Sequence, residues 1–131
     1  MRHFVSAMLV VVGIIHLLPA SGVLGAERLA QLYGMSFGEP NLTLLMRHRA
    51  VLFGLLGVFL TFAAFKPAFQ PIAFAAGFVS VISFLWLAWT VGDMNAAIRR
   101  VVLADVVALL CLVLGAAALA YVHRDGKSPV V

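Results

Sequence analysis

Long apolar segments separated by short polar stretches dominate the chain. These segments cover residues 4–26, 41–65, 71–92 and 101–122. An α-helix needs about 20 mostly apolar residues to cross the hydrocarbon core of a bilayer. Each segment reaches that length, so the pattern predicts an all-α membrane protein with four transmembrane helices in an up-down bundle. The 131 residues leave no room for a second domain, and we expect a single domain over residues 1–131.

The longest predicted connection, residues 27–40, has a pattern of its own. Leu29, Leu32 and Tyr33 are spaced as on one side of a short helix, which predicts an interfacial helix followed by a turn. Pro40 suits the first turn of the second span, because the N–H that proline lacks would have no helical acceptor there.

The start of the chain also has features of a secretory signal peptide, namely a basic residue, an apolar stretch and small residues at 20–22. We expect this segment to be retained as the first span.

Composition agrees with a protein that lies in the bilayer. Hydrophobic residues make up 64% of the chain and charged residues 11%, against about 25% charged residues in soluble domains. The net charge of +4 arises from basic residues near predicted helix ends, where they contact lipid headgroups. This placement disfavours nucleic acid as a partner and favours membrane lipids. Basic residues are nearly balanced between the two sides of the membrane, so the positive-inside rule does not set the orientation.

Metal and disulfide chemistry are not expected. Cys111 is the only cysteine, which excludes an internal disulfide or a paired-cysteine redox site. No two histidines are four residues apart, as two ligands on one helical face would be. We therefore expect no bound metal and no cofactor.

Small residues predict how the helices associate, because apolar burial does not drive helix association inside lipid. One face of the second span carries a stripe with helical spacing, made of Arg47, Ala50, Gly54, Gly57 and Thr61. We expect this stripe to face the bundle interior, with Arg47 at its end. Arg49 lies about 200° further round the helix and is expected to reach the headgroups or to meet a different neighbour.

Costly polar groups gather at one predicted membrane face. The candidate ligand-binding residues are His16, Arg47, His48, Arg49, Asn95 and Asp105. The other half of the membrane has almost no internal ionisable group, which favours a one-sided pocket over a pore. An ionisable residue within a span usually faces the interior and pairs, and Arg47 with Asp105 is the natural pair. The pair is interpreted as a clamp between the second and fourth spans, or Arg47 is a donor group for an anionic or carbonyl-bearing ligand, or the two residues simply lie at the membrane interface.

His16 has two interpretations as well. It is a proton-transfer or ligand-facing group, or it hydrogen-bonds a neighbouring helix or a carbonyl freed by Pro19. No nucleophile or second catalytic group accompanies it, so we assign no catalytic residue.

Three stretches resemble small bacterial four-span proteins of the DoxX-like group. They are the segment GIIHLLP at residues 13–19, the segment RHRA at 47–50 followed by Gly54, and the acid Asp105 early in the fourth span. The resemblance implies the four-helix fold and the bacterial inner membrane. Some members of that group are linked to quinone or thiol redox systems.

Three functions follow as hypotheses. The first is a pocket that binds a lipid-like or quinone-like molecule, accessory to a redox or envelope system. The second is a structural or assembly protein that Arg47 and Asp105 clamp, with a second copy or another membrane protein as its partner. The third is an intramembrane enzyme that uses His16 as acid or base; the sequence favours a non-enzymatic role.

Overall fold

Five α-helices account for nearly all of the chain in a computed structural model that describes residues 1–126. They are α1 (Arg2–Leu17), α2 (Ala26–Tyr33), α3 (Pro40–Ala64), α4 (Gln70–Val91) and α5 (Ala96–Asp125). Four helical segments are long and apolar enough to cross a membrane, and no β-strand occurs in residues 1–126. The prediction of an all-α four-helix membrane bundle is confirmed. Residues 127–131, to which the predicted domain extends, lie outside the described part.

The first and last spans differ from their predicted bounds. After α1 the first span continues as a 3-10 segment, Leu18–Leu24, which begins beside Pro19. The last span starts already at Ala96 rather than at residue 101, because Asn95 caps the helix: its side-chain oxygen accepts a hydrogen bond from Ile98 N at 2.8 Å. A polar first turn is invisible to an apolar pattern, so the sequence placed this start too late.

The start of α3 agrees with the sequence pattern. Pro40 occupies the first turn, and Glu39 caps the helix with both carboxylate oxygens. These oxygens accept hydrogen bonds from Asn41 N at 3.0 Å and Leu42 N at 2.7 Å. Both bonds favour the ionised carboxylate, so they lower the pKa of Glu39.

The spans form a ring in which each is packed against the spans before and after it in the chain. The first span lies between α3 and α5, and α4 lies between the same two helices on the other side. The backbones of α3 and α5 do not touch, so these helices are diagonal partners. Fully buried side chains along the ring form the core, among them Leu9, Val12, Leu60, Val81 and Leu112.

Small residues of the predicted stripe lie where α1 and α3 make a close contact. Ala50 and Gly57 are buried on α3. A Cβ atom added to Gly57 would lie 2.9 Å from the Gly13 backbone oxygen of α1. The two backbones therefore approach over a pair of glycines, which is how helices gain contact in lipid.

The short helix predicted in the long connection is present as α2, and it covers one end of the bundle. Leu29 and Tyr33 of α2 form a second buried cluster with Phe37, against which Ile98 and Val101 of α5 pack. The Asn95 amide joins the two helices by donating to the Tyr33 backbone oxygen at 2.8 Å. We call α2 and the following residues to Phe37 the cap of the bundle.

We expect Gly34→Ala to loosen the cap. Gly34 ends α2 with φ of 66°, in the left-handed region that alanine adopts only under strain. A Cβ atom there would also lie 3.1 Å from the Ala97 Cβ atom. The expected cost is about 1–2 kcal/mol, measured as faster amide hydrogen exchange in α2. Gly38→Ala is the control, because a Cβ atom at Gly38 meets nothing closer than 3.8 Å. Equal exchange in the two variants would contradict the assignment.

Candidate functional site

A cavity of about 220 Å³ lies beneath the cap, between the helix ends. Every helix contributes to its wall, with Ile15 from α1, Leu32 from α2, Phe53 from α3, Phe84 from α4 and Val101 from α5. The wall is mainly apolar and the cavity is partly open to the surroundings. It lies at the membrane face where the sequence predicts a one-sided pocket.

Asp105 supplies the acid of this cavity. The residue is 7% exposed and lies on the cavity wall of α5. Within the described residues, no group donates a hydrogen bond to the Asp105 carboxylate. Every fully buried side-chain nitrogen or oxygen atom in those residues does have a hydrogen-bond partner, so the Asp105 oxygens are not fully buried. The carboxylate oxygens are therefore reachable from the cavity. A carboxyl group held away from water without protein donors is costly, so a donor from a ligand would stabilise it.

Arg49 of α3 supplies one of the two cations that line the cavity, and Arg100 of α5 supplies the other. The Arg49 guanidinium donates a hydrogen bond to the Tyr33 hydroxyl at 2.6 Å. The guanidinium also lies over the Phe53 ring, 4.5 Å from the ring centre, and 5.5 Å from the centre of the Tyr33 ring. Cation–π contacts of this kind orient a guanidinium without using its N–H groups. Because a guanidinium carries five N–H donors, Arg49 is fixed in place with donors to spare.

His16 forms part of the wall and is 1% exposed. Its Nδ1 lies 2.9 Å from the Val12 backbone oxygen, and because a carbonyl only accepts, Nδ1–H is the donor. In the neutral imidazole, Nε2 then accepts from the Ser80 hydroxyl of α4 at 3.1 Å. The ring is stacked on Phe53, with centroids 5.7 Å apart. His16 thus joins α1 to α4 across the bundle, which agrees with the interpretation of a helix-to-helix hydrogen bond.

Of the predicted ligand-binding residues, the structure brings His16, Arg49 and Asp105 together and leaves the other three outside. Of the two arginines, Arg49 lines the cavity and Arg47, which was expected inside, does not. Arg47 is exposed, and its Nε donates to the Val23 backbone oxygen at 2.9 Å. The prediction that Arg47 points inward and pairs with Asp105 is wrong.

The physical reason lies in the helix that covers the small-residue stripe of α3. A Cβ atom on Gly54 would lie 3.3 Å from the Ala20 Cβ atom, so this end of the stripe faces the 3-10 continuation of the first span. Arg47 consequently reaches Val23, while Arg49 lies on the face turned to the cavity.

His48 and Asn95 do not line the cavity. His48 is exposed on α3. Asn95 uses its side chain to cap α5 and to hold the Tyr33 backbone oxygen, so it positions the cap over the cavity.

Tyr33, Phe53 and Arg100 also line the cavity but were not among the predicted ligand-binding residues. Phe53 had a detectable signal, because it follows Arg49 by four residues and shares its helical face. Tyr33 had only its place in the predicted short helix. Residues 1–126 contain no group of three or more His, Cys, Asp or Glu side chains that would hold a metal ion.

Comparisons with known proteins find no match for this chain among family models, curated proteins or solved structures.

Proposed function

We propose that the cavity binds the polar head of a lipid-like or quinone-like molecule. The supporting observation is the buried Asp105 carboxylate, which has no protein donor in the described part of the chain and shares its cavity with Arg49. A carbonyl oxygen of an oxidised quinone or of a lipid ester accepts from Arg49. A hydroxyl of a quinol or of a glycerol-based lipid headgroup donates to Asp105.

The size of the cavity limits what enters it. Ligand pockets usually measure roughly 300–1,000 Å³, whereas this one holds about 220 Å³. A single ring or a small headgroup fits, and a long tail has to lie outside, against the apolar surfaces of the helices. A molecule that dissolves in the bilayer meets both conditions.

The arrangement also differs from a structural clamp. In a clamp, the guanidinium and the carboxylate would satisfy each other across the two helices. Here Tyr33 and Phe53 hold the Arg49 guanidinium, while the Asp105 carboxylate stays reachable from the cavity. A clamp between Arg47 and Asp105 does not fit this arrangement, because Arg47 donates its hydrogen bond to the Val23 backbone oxygen instead. A role as an accessory to a redox or envelope system of the bacterial inner membrane follows from the resemblance to the DoxX-like group and belongs to the same proposal.

We expect Arg49→Gln to weaken quinone binding at least about tenfold, because a hydrogen bond to a charged group contributes about 1.5–3 kcal/mol. Arg47→Gln is the matched control, with the same substitution two residues away on a side chain outside the cavity. A short-chain ubiquinone titrated into purified protein provides the signal by quenching tryptophan fluorescence. Both tryptophans, Trp86 and Trp89, follow the cavity residue Phe84 on α4.

Equal affinity in the two variants would refute a quinone at this cavity. Mass spectrometry of the lipids that copurify with each variant tests whether the cavity binds a lipid instead. If the lipid content of the Arg49→Gln variant also equals that of the Arg47→Gln variant, the proposed binding function is wrong altogether.

A further inference from the structure

A second cavity, of about 320 Å³, lies at the opposite end of the bundle. The start of α1, the turn between α3 and α4, and the last turns of α5 enclose it. Among residues 1–126, its cationic and ionisable side chains are Arg2, His3 and His123, and none of these residues places a carboxylate in its wall. The first cavity, by contrast, contains Asp105. The two ends of the bundle therefore favour different ligands.

At the floor of the second cavity, a backbone carbonyl oxygen that would repel an anion is hydrogen-bonded by two side chains. The C-terminal end of a helix carries partial negative charge on its free carbonyl groups. At the end of α3, the Ala64 backbone oxygen is covered by the Ser6 hydroxyl at 2.6 Å and by Gln70 Nε2 at 3.2 Å. Gln70 is 6% exposed and lines the cavity. Its amide nitrogen carries two hydrogens, and one bond to Ala64 leaves the second N–H for an acceptor.

The start of α1 adds backbone donors. Arg2 and His3 lie in the first turn of this 16-residue helix, which has no side-chain cap. The first backbone hydrogen bond runs from Val5 N to the Met1 oxygen, so the N–H groups of Arg2 and His3 have no acceptor within the helix. Uncapped N–H groups beside a guanidinium and imidazoles are a favourable environment for a phosphate.

We propose that the second cavity binds a phosphate group. Arg2 contributes its guanidinium, Gln70 its free amide N–H, and the start of α1 its backbone donors. The cavity lies where the first span begins and the last span ends. Basic pockets between helices at the level of lipid headgroups accept anionic lipid heads. The phosphate belongs either to an anionic phospholipid or to a soluble phosphate compound. This inference does not depend on the function proposed for the first cavity.

The experiment compares Arg2→Gln with Arg124→Gln in bilayer discs of phosphatidylcholine with added phosphatidylglycerol. Both arginines are exposed and both lie at this end of the bundle, but Arg124 does not line the cavity. The two variants therefore lose the same charge at the same membrane face. Native mass spectrometry then counts the phosphatidylglycerol molecules that the protein retains. We expect the Arg2→Gln variant to retain the lipid about five- to tenfold less than the Arg124→Gln variant and the unchanged protein.

A second arm identifies the source of the phosphate. Inorganic phosphate is added to the protein in phosphatidylcholine discs, with sulfate-free chloride buffer as reference, and binding is followed by calorimetry. Retention of phosphatidylglycerol without a response to inorganic phosphate supports a lipid ligand. A response to inorganic phosphate that Arg2→Gln removes, without retained lipid, supports a soluble one. Equal behaviour of Arg2→Gln and Arg124→Gln in both arms overturns the proposal. Neither arginine belongs to the first cavity, so this failure would leave the quinone or lipid-head proposal untouched.

Discussion

Replacing Gly57 by Leu should lower the free energy of unfolding by about 3 kcal/mol or more, the upper range for overpacking a tight interface. At this position α3 crosses α1 with almost no space between the backbones. A Cβ atom on Gly57 would lie 2.9 Å from the Gly13 backbone oxygen and 2.8 Å from Leu17 Cγ. A flexible side chain moves aside easily, but a helix backbone does not. The substitution therefore pushes the two helices apart along the contact that holds the ring together.

The single cysteine offers a direct measurement of this effect. Cys111 is partly buried and packs against the core, so a fluorescent maleimide labels it faster once the bundle opens. In the Gly57→Leu variant, the temperature at which Cys111 becomes rapidly labelled should be well below that of the unchanged protein. Gly38→Leu serves as control, because Gly38 is exposed in a connection and a Cβ atom there would meet nothing closer than 3.8 Å. If the two variants open at the same temperature, the glycine crossing is not what holds α1 to α3.

We expect His16→Ala to destabilise the bundle by about 2–4 kcal/mol, the range found when large buried side chains are truncated to alanine. The imidazole is fully buried and stacked on Phe53, and it links Val12 to Ser80. Alanine removes the ring and both hydrogen bonds and leaves a hole beside the cavity. Ser80→Ala removes one of these bonds and little volume, so its cost should be about 1 kcal/mol. Labelling of Cys111 during heating compares the two variants, and equal losses would show that the ring itself contributes nothing to stability.

The same geometry bears on the hypothesis of an intramembrane enzyme. An acid or base needs a ring nitrogen that reaches the reacting group. In the neutral imidazole, Val12 and Ser80 use both nitrogens of His16. These contacts favour a structural role in which His16 holds α4 against α1 and shapes the cavity wall. Any activity that survives His16→Ala would exclude His16 as acid or base.

The architecture was accessible from the pattern of apolar residues because the bilayer imposes a length on every span. In lipid, each backbone polar group has to be satisfied within its own segment, so a long apolar stretch has essentially one structure available. Chain-consecutive spans with short connections then become neighbours, and the small-residue stripe on α3 identifies a face of close contact. The short α2 helix was also visible, from the spacing of Leu29, Leu32 and Tyr33.

The identity of the cavity residues depended on the tertiary structure. Helical periodicity separates Arg47 from Arg49, but it does not say which neighbour covers each face. That was decided by the continuation of the first span to Leu24, which occupies the face of Arg47 and leaves Arg49 to the cavity. Contacts between distant segments, such as Tyr33 with Arg49 and with Asn95, leave no trace in local spacing. Local chemistry and the bilayer therefore determine the four helices, whereas long-range packing decides which of their polar side chains meet.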